Sequence, residues 1–270
     1  MYCDDMRAII AAISLCLVSS TALAQKVPGM ATMDRFDEQS KFAASLAYVG
    51  LDADDVTGIR FDLFGQHLTP GGFGGYLALP ISYIDGGGDS ETGIGNIEIG
   101  GLYIIPGSTP VVLRGGLALP TADSDNFGAN LLGILARFND GAQHSPDVTW
   151  LRLSASPLVR RGTGFFKADV GLDLPVAEDD NIEADAIVRV NVGGGVESGG
   201  IALMGELVNL ATLQDDVENR WVSFLGFTAR YMAGGQVQPS ISLQVPIDDS
   251  IDQIVDFIVI VGLEYVLPAR

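Results

Sequence analysis

The 270-residue chain carries 34 acidic and 15 basic residues, a formal net charge of −19, which excludes nucleic acid as a partner because that recognition needs basic footprints. It is nevertheless unusually apolar and glycine-rich for so acidic a chain, with 47% hydrophobic residues and 34 glycines. Its two cysteines, Cys3 and Cys16, both precede residue 24, so no disulfide is expected to hold the exported protein together.

Residues 1–24 read as a signal peptide to be removed, with Met6 as the expected start. Arg7 precedes an apolar run from Ala8 to Leu17, and Ala22-Leu23-Ala24 offers a small-x-small cleavage pattern. The run is shorter than the ~20 apolar residues of a spanning helix, and nothing later in the chain reaches that length. Residues 25–40 are assigned as an N-terminal periplasmic segment, 41–267 as one large all-β domain and 268–270 as a C-terminal tail.

From residue 41 onward apolar residues recur at every second position, the period of a strand. In the stretch GIGNIEIGGLYIIPGSTPVVLRGGLALP (93–120), Ile97, Ile99, Tyr103 and Ile105 share a face and Glu98 lies opposite. Beyond the PGSTP turn, Val111, Leu113, Leu117 and Leu119 repeat the apolar face with Arg114 opposite, which predicts a hairpin. The glycines do not form a dinucleotide loop, because their spacing is wrong and no helix follows.

The same alternation predicts twelve strands, at 41–50, 56–66, 74–83, 93–105, 111–120, 148–160, 164–175, 184–196, 200–210, 220–232, 236–246 and 256–267. Residues 129–138, ANLLGILARF, break it and are assigned as a short helix inside a long loop. GYLALP, GGLALP, VGLDLP and SISLQVP close on Pro80, Pro120, Pro175 and Pro246. Proline cannot donate to a ladder, so these predict four strands leaving the sheet at one rim. Long connections at 51–55, 84–92, 121–147, 176–183, 211–219 and 247–255 hold well over half of the acids and one base, Arg137. The remaining connections are short and belong to the other rim.

An even strand number with both termini on one side predicts an antiparallel up-and-down β-barrel. Strands of ten or more residues are long enough to cross a bilayer when tilted, and short turns alternate with long loops. Tyr48, Tyr76, Tyr83, Tyr103, Trp221 and Tyr231 can supply interfacial belts. Together these favour an outer-membrane barrel over a secreted sandwich or lipocalin-like barrel. The minority face then lines a lumen: Arg60, Asp62, Glu98, Arg114, Arg152, Lys167, Asp169, Asp173, Asp185, Arg189, Glu206, Arg230 and Glu264, seven acids and six bases.

GIGNIEIG resembles the Gly-x-Gly-Asp strand opening, and LALPTADSD the Leu-x-Leu-Pro-Thr-Gly-Asp strand exit, of the phenol-degradation meta-pathway transporter-like outer-membrane barrels of Gram-negative bacteria. The resemblance departs at Asn96, where aspartate is expected, at Ala122, where glycine is expected, and at the C-terminus, which lacks a final aromatic residue. It implies passage of small, often hydrophobic or aromatic, compounds across the outer membrane.

Rival readings are a closed structural or surface-interaction barrel and a hydrolase at the rim. Only His67 and His144 could serve as an imidazole base. His67 is assigned to a short turn, and His144 to the long loop beside Ser145 and Asp147. A nucleophile needs its base at hydrogen-bond distance on a rigid element, so no enzyme activity is assigned. The acidic loops contain no twelve-residue calcium loop and are read as solvated loops, with a cation-bridged contact to anionic outer-leaflet lipid as the alternative; no built metal site and no cofactor are expected. The expected partners are outer-membrane lipid and a small solute.

Overall fold

The computed structural model describes residues 38–268, apart from 53–55, 87, 179–183, 214–220, 234 and 250. The expected signal peptide, most of the 25–40 segment and the last two residues lie outside the described residues. Among the described residues thirteen strand segments follow one another: β1 (Lys41–Leu51), β2 (Val56–Leu68), β3 (Phe73–Gly86), β4 (Asp89–Ile94), β5 (Glu98–Ile105), β6 (Val111–Ala118), β7 (Val148–Arg161), β8 (Gly164–Glu178), β9 (Ile187–Ser198), β10 (Ile201–Thr212), β11 (Trp221–Tyr231), β12 (Val237–Pro246) and β13 (Val255–Val266). Every ladder is antiparallel, and the pairings of β1 with β13 and β2 with β3 close the ring. Because β4 and β5 both pair with β3, one beyond the other, the thirteen segments make a closed barrel of twelve staves.

Strand alternation separates two faces throughout. On β13, Val261, Leu263 and Tyr265 are exposed while Ile260 and Glu264 are buried; on β10, Leu203 is exposed between Ala202 and Met204, which are buried. Phe42, Leu77, Ile99, Phe227 and Ile241 continue the exposed apolar band around the wall. An apolar surface this continuous is unstable in water, and it is the surface that lipid covers in a membrane barrel.

Several expectations are corrected. The strand expected at 93–105 breaks at residues 95–97, where Asn96 turns inward to bond the loop that follows β6. The segment 84–92, expected as a long loop, is mostly ladder, since β3 and β4 pair out to Gly86 and Asp89. Pro80 lies within β3 and Pro175 within β8, so neither ends its strand. Pro80 accepts from the Gly95 amide, and a strand residue points its N–H and C=O toward the same neighbour. The missing N–H of Pro80 therefore faces the β4–β5 break, where no ladder bond is lost. Pro175 likewise lies past the last β8–β9 pair, Asp173 with Ile187. Tyr76 is buried inside the barrel rather than in an interfacial belt, because it shares parity with Ala78. His67 lies in β2 opposite Gly75, one residue before the strand ends, and not in the turn.

Candidate functional site

The longest connection, between β6 and β7, does not stand out from the rim. It folds into the barrel as helix α1 (Phe127–Ala136) followed by a 3-10 segment, Phe138–His144. The helix is where ANLLGILARF predicted one, shifted by two residues. Within it Ala129, Leu132, Leu135 and Ala136 are buried. Leu132, Leu135 and Ala136 join inward-facing Ala47, Val49, Phe224, Ile258 and Ile260 in one apolar cluster, and the Phe138 ring lies 4.7 Å from that of Phe224. The long-loop half of the lumen thus has a core like that of a water-soluble protein.

Polar clasps hold the same loop from the other side. Arg60 donates to the Gly133 carbonyl at 2.7 Å and to Gln143 at 2.8 Å, while the Ser82 hydroxyl donates to the Ala129 carbonyl at 2.6 Å. Asn96 donates to the carbonyls of Ala142 and Ser145 at 3.1 and 2.6 Å and accepts from the Ala122 amide at 3.0 Å. Arg152 donates to the Asn139 carbonyl at 3.0 Å and to Asp140 at 3.1 Å, and Asn191 donates to Asn139 at 2.7 Å.

Glu98 is the hub of these contacts. It pairs with Arg152 and accepts from Tyr76 and Gln143, each at 2.7 Å. From there the ion pairs run on around the wall. Arg152 lies 3.3 Å from Asp173, Asp173 lies 2.8 Å from Arg189, and Arg189 lies 3.8 Å from Asp169. A second group, Lys41, Arg230 and Glu264, sits nearer the short-turn rim with contacts of 3.5 and 2.6 Å. Between the two groups, under Arg137 at the end of α1, a pocket of about 30 Å³ is lined in part by Ser45, Asp62, Arg230 and Glu264. That volume holds about one water molecule, far less than a solute.

The sequence-predicted lining residues Arg60, Asp62, Glu98, Arg114, Arg152, Lys167, Asp169, Asp173, Arg189, Glu206, Arg230 and Glu264 are all buried on the inward face. Asp185 is the exception. It is half-buried and precedes β9, which starts at Ile187 rather than at residue 184, so it is no mid-strand group. Sequence reasoning missed Lys41, Tyr76, Asn96 and Asn191, although the parity that picked Arg189 also picks Asn191. It could not find Asn139, Asp140 and Gln143, because no period marks which loop residues meet a wall.

His144 and Ser145 do not form the nucleophile–base pair considered for a rim hydrolase. His144 is wholly buried, neither of its ring nitrogens has a hydrogen-bond partner among the described residues, and the Ser145 hydroxyl donates instead to the Gly141 carbonyl. No group of three potential metal ligands occurs among them either.

The sequence matches no protein-family model and no curated protein. In three dimensions it is similar to an outer membrane channel from Pseudomonas putida F1, with a TM-score of 0.64 and 12% identity over 92% of this chain and 100% of that one. It is similar also to the NanC porin, with a TM-score of 0.55 and 9% identity over 84% and 100%. The translocator domain of the autotransporter NalP from Neisseria meningitidis follows at 0.51 and 11% over 97% and 94%. The chain has the closed antiparallel barrel fold that these outer-membrane proteins share. At such identities the likeness carries the fold, and one fold serves several tasks, so the task must be argued from the lumen.

Proposed function

We propose that this barrel is a gated outer-membrane channel for a small solute, with the β6–β7 loop as its gate. The observation that carries the reading is that the wall closes without the loop: β6 pairs with β7 from Val111–Pro157 to Ala118–Trp150, and the loop only fills the space inside. On this reading the short turns and both termini face the periplasm, the acidic loops face outward, and the protein performs no chemistry on its cargo. The buried ionic residues shape the conduit and set its polarity once the loop has moved.

The solute is proposed to be small and partly apolar. Below the ion pairs, Phe64, Ala78, Leu102 and Val112 form an apolar cluster on the inward face with Tyr76, a surface that suits a hydrophobic or aromatic compound. The resemblance of GIGNIEIG and LALPTADSD to phenol-degradation transporter-like barrels points to the same substrate class.

One observation favours the rival, a permanently closed structural barrel. Leu132, Leu135 and Phe138 pack on Phe224 and Ile258, and withdrawing them re-exposes apolar surface. Planar-bilayer recordings of the refolded protein decide between the two. A gated channel gives rare openings that become long-lived when Arg60→Ala removes two clasps on the loop. A closed barrel is silent in both forms, and conducts only when the loop is removed.

A further inference from the structure

We propose that His144 is a proton-operated latch on the occluding loop, so that acidification withdraws the loop and opens the lumen. The inference rests on the channel reading and names its regulation.

His144 ends the 3-10 segment and is wholly buried. A Cβ placed on Gly133 would overlap its ring, and one on Gly95 would lie 2.8 Å from Cε1. A glycine on each side is what lets the imidazole lie flat between helix and wall. Neither ring nitrogen has a hydrogen-bond partner among the described residues. Neutral imidazole leaves one donor unsatisfied there, whereas imidazolium would leave two donors and a charge without solvent.

The surrounding charges do not offset that. From β2 come Arg60 and Asp62, already paired at 2.8 Å. From the loop come Arg137, Asp140 and, through Asp140, Arg152 of β7, with Asp140 at 3.0 and 3.1 Å from the two guanidinium groups. Glu98 of β5 meets the segment at Gln143 and, through Arg152, at Asn139 and Asp140. Glu91 of β4 is engaged with the Ala129 amide at 3.2 Å, and α1 itself has no titratable residue. Burial first, and the Arg60 guanidinium second, push the imidazole down to about 3 from its ordinary 6.5.

With the loop withdrawn into water, His144 regains an ordinary affinity for its proton. Between the two pKa values the withdrawn state holds the extra proton. Closure is therefore fully favoured above about pH 6.5, and the withdrawn-to-closed ratio rises by up to about ten-fold per pH unit below it, levelling near 3. One ring suffices because the Asn139, Asp140, Ala142 and Gln143 clasps all lie within five residues of it.

Open probability of the refolded full-length protein in planar bilayers, measured at about pH 7.5 and about pH 5, tests this against the His pKa. The wild type is expected to open at least about ten-fold more at the lower pH. His144→Phe, which keeps the ring and cannot be protonated, is expected to stay closed at both, and His144→Gln to behave alike. Acid opening that survives in both variants, or a wild type indifferent to pH, overturns the latch. A variant with residues 127–144 replaced by a Gly-Ser linker separates the two ideas: if it conducts and the wild type opens equally often at both pH values, the latch fails and the channel stands. If it is silent, the channel reading fails, and the latch is then read from maleimide labelling of Ala136→Cys relative to exposed Phe127→Cys, with Cys3 and Cys16 changed to Ser. Relative labelling that rises on acidification with His144, and does not with His144→Phe, supports the latch; labelling that rises equally in both, or in neither, overturns it.

Discussion

Asn96 stands where the barrels that this sequence resembles place an aspartate, and its contacts explain what the amide does. Its NH2 donates to two loop carbonyls and its oxygen accepts from Ala122. A carboxylate can do only the second and would face the carbonyls with its charge. Asn96→Asp is therefore expected to lower stability by about 1–3 kcal/mol, through lost donors and newly orphaned acceptors, read as a shift in urea midpoint in lipid vesicles. It should also lengthen open times at neutral pH. Glu98 is a harsher case. Changing it to Ala leaves Arg152 with Asp140, Asp173 and the Asn139 carbonyl and strips Tyr76 and Gln143 of an acceptor. Removing one partner from a buried charged cluster costs about 3–5 kcal/mol, and Glu98→Gln, which keeps an acceptor, should recover part of that loss in the same unfolding assay.

Helix α1 shows how an element can be legible while its place is not. ANLLGILARF breaks the period of two, and that is enough to say helix. Yet its N-terminus has no side-chain cap, its first turn no acid and its last turn no base, and ten residues are too few to be helical alone in water. Its order comes from Ser82, Glu91 and Arg60 bonding its backbone and from the apolar cluster around Leu132. A peptide of residues 127–144 is accordingly expected to be unstructured by circular dichroism. The barrel lacking that segment should still fold, shown by its heat-modifiable migration in gels, since no ladder bond runs through it. The same dependence on neighbours explains the strand that stops at residue 95. Nothing local marks Gly95-Asn96-Ile97 as a break, because its cause is the loop it grips.

At the scale of the whole molecule, the alternation decides the solvent. Leu203, Ile241 and Val261 are each more than half exposed on neighbouring parts of the wall. An arginine at Val261, midway along β13, is expected to cost about 2–4 kcal/mol of unfolding free energy in vesicles. At Trp221, the first residue of β11, the same change should cost about 0–1 kcal/mol if the strand end lies at the interface.

Period-two alternation and loop length depend on residues adjacent in the chain, and they were enough for the strand order, the closed barrel and the inward position of Arg60, Glu98, Arg152, Arg189 and Glu264. Which partners those charges choose depends on register across the barrel, where Glu98 meets Arg152 from 54 positions away. Whether the lumen is open depends on where a loop without periodicity comes to rest. Only the tertiary structure decided that the β6–β7 connection turns inward and buries His144, because the forces that draw it in belong to the wall it meets.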